Sequence, residues 1–243
     1  MLISYARTKN MKIALYSVPD LTAGKQNIKD PRLDQADKLV KAKKKTYPQI
    51  ELITEELALD ADVIILPQDA RMDLILKDLE FMETRLAKNP LDAEKIILDK
   101  MKAALEKEEF ISTLGLSAAE CEIISGYGLF TFKPVVVIKK EELEDLGTLL
   151  ARVLAESKYI CFLTVGDKEN RAWLIKQGTT AWEAAGVIHS DIQRGFIRAE
   201  IISFTDFIAC AGEAQSKQAG KMRLEQKDYI MQDGDLANFR FNK

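Results

Sequence analysis

The first place in this chain where chemistry could be done is a glycine-lysine pair, Gly24-Lys25, shortly after the strand-like run Lys12 to Tyr16. A loop that cradles phosphates takes the form G-x-x-x-x-G-K-[ST]. Its glycines let backbone N–H groups close around the oxygens, its lysine reaches the terminal phosphates, and its hydroxyl holds Mg²⁺. Here Ser17 stands at the first glycine position, six residues rather than four separate it from Gly24, and Gln26 takes the place of the hydroxyl. Gly24 and Lys25 are therefore expected to supply no more than a residual nucleotide contact.

Other chemistries have less material. His189 is the only histidine, which leaves no Ser-His-Asp triad and no histidine-based zinc site. Cys121, Cys161 and Cys210 are widely spaced, odd in number and without C-x-x-C spacing. They read as small, buried side chains in a reducing cytoplasm. No cofactor and no metal are expected.

A second group of candidates would bind a macromolecule. His189, Arg194, Arg198, Lys221 and Arg223 would make an RNA- or partner-binding face if folding brought them together, although His189 alone reads as a hydrogen-bonded structural residue. Residues 159–243 hold eleven Lys plus Arg and eleven Asp plus Glu, so only arrangement could create such a face. The run Lys38, Lys41, Lys43, Lys44 and Lys45 is another phosphate-binding candidate. Asp30, Asp34 and Asp37 dilute it, and solvated helix surface is the preferred reading.

These residues need elements to position them. With 243 residues, 47% apolar and 30% charged, the chain has the make-up of a folded protein, and its net charge of −3 gives no long-range attraction to nucleic acid or acidic membrane. Its apolar runs, such as Val63 to Pro67 and Pro134 to Ile138, are strand-sized and far below the ~20 residues that cross a bilayer, so no membrane partner is expected. Strand-like runs alternate with helical stretches up to Pro67. From Arg71 to Phe110 apolar residues recur at helical spacing: Ile75, Leu79, Met82 and Leu86, then Ala93, Ile97, Met101 and Ala104, with Asn89-Pro90 between them. The α/β pattern resumes at Pro134, with a helix expected over Glu141 to Glu156. From Tyr159 onward, short strands and turns end in a strand over Leu236 to Phe241, introduced by Asp233-Gly234-Asp235.

The C-terminal block carries specific tokens: AGVIHSD, GFIRAE, DYIMQDGD and FRFN, within Arg171 to Phe207 and Ala219 to Asn242. It resembles the C-terminal TGS-type domain of the YchF family, the Obg-like ATPases. Upstream, KDPRLDQADKLVKAKK (Lys29 to Lys44) and FTFKPVVVIKKEE (Phe130 to Glu142) resemble that family's DPRLD helix and the strand that ends in its base-recognition loop. The resemblance implies an α/β protein in which a truncated P-loop-GTPase-like α/β domain (11–70 and 111–157) is interrupted by an antiparallel helical hairpin, a coiled coil (71–110). A TGS-like β-grasp α+β domain (158–243) follows. Residues 1–10 are expected to be a leader, either disordered or from an upstream start.

The family's nucleotide motifs are where this sequence departs. The segment between the phosphate loop and DPRLD is missing. The strand over Gln49 to Ile53 runs into Thr54-Glu55-Glu56-Leu57 instead of a D-x-x-G switch. Lys139-Lys140-Glu141-Glu142 stands where an Asn-x-x-Glu loop would read the base, leaving Lys139 as a residual contact. The expectation is therefore a protein that is not an enzyme, with a ribosome- or RNA-linked partner on its TGS-like domain and a protein partner or a second copy on its hairpin. The alternative is a weak ATP- or GTP-binding protein with a remodelled site.

Overall fold

The computed structural model describes residues 11–242, and the leader expected at 1–10 lies outside them. In chain order the elements are β1 (Met11–Leu15), β2 (Gly24–Asn27), α1 (Pro31–Leu39), β3 (Lys45–Thr46), β4 (Gln49–Thr54), β5 (Val63–Pro67), α2 (Arg71–Leu86), α3 (Asp92–Leu105), α4 (Ala118–Ile123) and β6 (Val135–Ile138). Then come α5 (Leu146–Glu156), β7 (Tyr159–Thr164), β8 (Asn170–Lys176), α6 (Ala181–Ile188), α7 (Ser190–Arg194), β9 (Phe196–Ile202), α8 (Phe204–Ala209), α9 (Glu213–Gln218), β10 (Arg223–Glu225) and β11 (Leu236–Phe241). This is mixed α/β architecture in two units: Met11–Gln26 with Ile50–Ser157, and Asn27–Gln49 with the segment from Lys158 onward.

The first unit is built on a five-stranded sheet of order β2-β4-β1-β5-β6. β1 pairs in parallel with both β4 and β5, and β5 with β6, aligning Ile13 with Leu52 and Val63, and Leu66 with Val137. Parallel strands covered on both faces read as continuous apolar runs, and VIILP of β5 is such a run, whereas VVVI of the edge strand β6 buries only Val136 and Ile138. Ala14, Tyr16, Ile53, Ile64, Leu66 and Leu74 pack together beside the sheet. A separate cluster joins α2 to α3 through Ile75, Met82, Ile97, Leu98, Met101 and Leu105. Each such side chain, when fully buried, contributes about 1.5–3 kcal/mol. Arg85 clasps Glu94 through two hydrogen bonds, of 2.5 and 3.0 Å, which ties the end of α2 to the start of α3. Asp78, only 1% exposed on α2, accepts from the backbone N–H of Phe130 and Thr131 and from the Thr131 hydroxyl at 2.7–3.0 Å, pinning the approach to β6.

The second unit has a mixed sheet of order β10-β9-β11-β7-β8-β3. β7 and β8 form an antiparallel pair, β9 and β11 another, while β11 meets β7 in parallel at Leu236 and Leu163. Helix α6 starts on a capping box between Thr180 and Glu183, and it buries Ala184 and Ala185 against Phe162, Ile201 and Phe239. The other core cluster joins Leu33 and Ala36 of α1 to Leu163, Ala172, Phe207 and Leu236.

Residues 27–49 therefore differ from their expected place. The expectation places them in the α/β domain, whereas they cluster with the C-terminal segment, because α1 has its apolar stripe there and β3 pairs with β8 in parallel. The helix expected over Glu141 to Glu156 begins later, at Leu146, after a 3₁₀ turn over Lys140–Glu144. Trp182 of α6 is 37% exposed. No helix among the described residues is long and apolar enough to cross a membrane.

Candidate functional site

In an open sheet of parallel strands, ligands bind where the strands' C-terminal ends release their loops. In the first unit, β1, β4, β5 and β6 present those ends together. β1 leads into Tyr16 and then Ser17, whose φ of 53° turns the chain sharply. The Ser17 N–H donates to the Glu55 carboxylate at 3.2 Å, and Glu55 directly follows β4. Lys77 of α2 donates to the other Glu55 oxygen at 3.3 Å and lies over the Tyr16 ring at 4.5 Å. Tyr16 first, and then Glu55, hold the Lys77 ammonium above the ordinary lysine range. A backbone N–H that an anion could use is thus taken by the protein's own carboxylate.

Beside this, the loops after β1 and β6 frame an open cleft of about 410 Å³ lined by Asp20, Lys140, Glu141, Leu143 and Glu144. Three carboxylates face one ammonium there. Among the described residues no group of three or more His, Cys, Asp or Glu is arranged to hold a metal ion.

The three residues expected to contact nucleotide are not brought together. Gly24 and Lys25 lie on β2, exposed, at one edge of the sheet, whereas Lys139 directly follows β6 at the other edge. Four strand spacings separate those edges, roughly 19 Å at ~4.8 Å per strand. The Lys139 N–H donates to Glu142 at 2.7 Å. The strand order behind this separation has no signal in the local sequence.

In the expected basic face of the second unit, most of the side chains are taken up by partners within the protein. The Nδ1 atom of His189 accepts the Asp191 N–H at 3.1 Å and so caps α7. Arg194 is hydrogen-bonded to Asp191, and that pairing draws the Asp191 carboxyl below its usual range. Lys221 meets Asp206 at 3.2 Å. Arg223 donates to the Tyr229 hydroxyl at 2.9 Å, and Tyr229 donates in turn to the buried Asp235. Burial, with Asp235 adding to it, pushes the Tyr229 hydroxyl up to about 12. Of the five residues, only Arg198 has a side chain with no ion pair or hydrogen-bond partner among the described residues. Arg240, which carries no local signal that would single it out, lies opposite it across β9 and β11 and pairs with Glu200 at 2.9 Å.

The lysine run has another setting. Asp34 accepts from Lys45 at 2.6 Å and from the Tyr47 hydroxyl, and Lys44 pairs with Glu169 at 3.0 Å. Lys38, Lys41 and Lys43 are exposed and make no ion pair among the described residues.

Comparison with known proteins adds a family. Residues 159–242 match YchF-GTPase_C, described as a protein of unknown function, DUF933. The chain is 34% identical over 248 residues to a protein of Haemophilus ducreyi named Ribosome-binding ATPase YchF, covering 79% of this chain and 66% of that one. It is 33% identical over 249 residues to a protein of Buchnera aphidicola subsp. Acyrthosiphon pisum with the same name, covering 81% and 68%. It thus spans about two thirds of the length of these relatives. Its fold is similar to that of the Schizosaccharomyces pombe YchF GTPase, with a TM-score of 0.76 and 18% identity over 97% of this chain and 99% of that one. The expectation that the chain is not an enzyme is overturned by these relatives, whose names mark a nucleotide-hydrolysing family.

Proposed function

Because the chain belongs to the YchF family, we propose that it associates with the ribosome, in the cytoplasm, through its C-terminal unit. One observation carries this reading: relatives 33–34% identical over alignments that cover most of this chain are named for binding ribosomes. The mixed sheet with α6 across one face suits a TGS-type domain, and the matched family segment, 159–242, lies within this unit. The α2–α3 pair would give a second contact through Leu91 and Ile96, which are 82% and 68% exposed. Sedimentation of the full chain with purified bacterial ribosomes at physiological salt tests the proposal. Saturable pelleting is expected, and a chain that stays in the supernatant at every ribosome concentration overturns it.

A second reading concerns nucleotide. The aligned ends of the parallel strands favour ATP or GTP bound in a remodelled site beside them, where Lys140 is, among the described residues, the one cation lining the cleft and stands against three carboxylates. Gly24, Lys25 and Lys139 do not fit one nucleotide together, since they stand at opposite edges of the sheet. Titration with ATP or GTP and Mg²⁺, with phosphate release followed in parallel, separates the candidates. Lys140→Ala is expected to weaken binding and Lys25→Ala to leave it unchanged, and the reverse result removes the cleft as the site.

A further inference from the structure

In the sequence, acidic residues dilute the lysine run that begins at Lys38, but in the fold those acids engage Arg32, Asn170 and the last lysine of the run, Lys45, and form no ion pair with Lys38, Lys41 or Lys43 among the described residues. Asp30 holds Arg32 at 2.8 Å, Asp34 holds Lys45 and Tyr47, and Asp37 accepts from the buried Asn170 at 2.7 Å. Asn170 also donates to the Val40 carbonyl at 2.6 Å, its N–H meets the Lys44 carbonyl at 2.9 Å, and the Lys43 N–H meets the Asp167 carbonyl at 3.0 Å. These bonds fix residues 40–44 against the turn between β7 and β8, which exposes Lys168. Lys38, Lys41, Lys43 and Lys168 are all exposed and without an ion pair among the described residues.

We propose that these four lysines form a contact for the phosphate backbone of folded ribosomal RNA. This rests on the proposed ribosome association and names the surface that makes it. Lysines are mobile point charges, suited to phosphates that need no directional fork. A protein partner would call for an apolar or aromatic anchor at the centre of the patch, and Leu39, 42% exposed, is the only large apolar side chain among residues 38–44 that reaches solvent to that degree. Each phosphate contact gives a slope of about 0.7–0.9 in log affinity against log salt, so such a patch binds weakly at high salt and well at low salt.

The test uses the full chain with two probes, purified bacterial ribosomes and a fluorescent RNA duplex, each over a range of salt concentrations. Lys41→Gln with Lys43→Gln is compared with Lys217→Gln and Lys227→Gln, exposed lysines of the same unit that also lack ion pairs among the described residues. The first double variant is expected to lose roughly tenfold or more in affinity for both probes and to flatten the salt slope by about 1.5. The second is expected to bind like the wild type, as is Lys41→Arg with Lys43→Arg. If the first variant binds ribosomes with the wild-type slope, the patch is overturned while ribosome association stands. If it loses ribosomes but keeps the duplex, a protein face of the ribosome replaces RNA as the partner. If the wild type fails to pellet with ribosomes yet binds the duplex through these lysines, the patch stands and ribosome association is overturned. Binding to neither probe overturns both.

Discussion

Arg32 and Asp233, 201 residues apart in the chain, meet at 2.7 Å. Arg32 also grips Asp30 at 2.8 and 3.0 Å, while the other Asp233 oxygen accepts the Cys161 N–H at 3.0 Å. The D-P-R-L-D start of α1 and the D-G-D turn before β11 are thus two halves of one joint. Gly234, at φ +82°, completes it, since a Cβ there would lie 3.0 Å from the Arg32 guanidinium.

Removing the shared cation should loosen this unit. Arg32→Ala leaves the nearly buried Asp30 carboxylate without its partner, and the expected loss of stability is about 2–3 kcal/mol. Both tryptophans, Trp173 and Trp182, lie in this unit, so urea unfolding followed by their emission reads it directly. A loss within the ~1 kcal/mol range of a surface ion pair would count against the joint.

Acid should weaken the hold of α1 on the strand that follows it. Hydrogen bonds from Lys45 and Tyr47 hold the Asp34 carboxyl below its ordinary value of 3.8. Its contribution is therefore complete above that value and is lost as pH falls through the lower native-state value. Stability measured at stepwise lower pH is expected to decline more steeply for the wild type than for Asp34→Asn, and parallel acid limbs would refute this.

Gly195 gives a steric test. A Cβ at this position would lie 2.0 Å from the Asn242 carbonyl oxygen, a backbone atom that the Asn242 N–H bond to the Gly195 carbonyl, 2.9 Å, holds in place. Gly195→Ala should cost about 1–3 kcal/mol or more as the end of β11 is forced away. Gly166→Ala, with open space around its Cβ, serves as the control, and equal melting temperatures for the two variants would contradict the clash.

The three thiols should separate by reactivity. Cys161 is buried, and desolvation pushes its thiol up to about 12, whereas Cys121 and Cys210 are partly accessible. A thiol reagent at mildly alkaline pH is expected to titrate Cys121 and Cys210 in the native protein and Cys161 only after urea is added. Fast native labelling at Cys161, located by peptide mapping, would be the contrary outcome.

Much of the local structure could be read from residue order. Pro134 to Ile138 and Leu236 to Phe241 declare themselves as strands, and the recurrence of Ile75, Leu79, Met82 and Leu86 marks a helix, because side-chain period reports which face is buried. Period does not report what covers that face. Leu33 and Ala36 mark α1 as amphipathic whichever sheet it joins, so the placement of 27–49 with the C-terminal segment was not legible. The candidate sites were less legible still. Strand order sends Gly24 and Lys139 to opposite edges, and the acid partners of Arg194, Lys221 and Lys45 depend on turns and helix ends that composition does not resolve.

The placement of α1 also sets an order of events during synthesis. Leu33 and Ala36 leave the ribosomal tunnel well before Leu163, Phe207 and Leu236 have been translated, so the nascent chain must carry this apolar stripe without its cover through the whole of the intervening stretch. A polypeptide halted at Ser157 would hold every residue of the parallel sheet and still display an unsatisfied sticky helix, a natural target for a holdase chaperone.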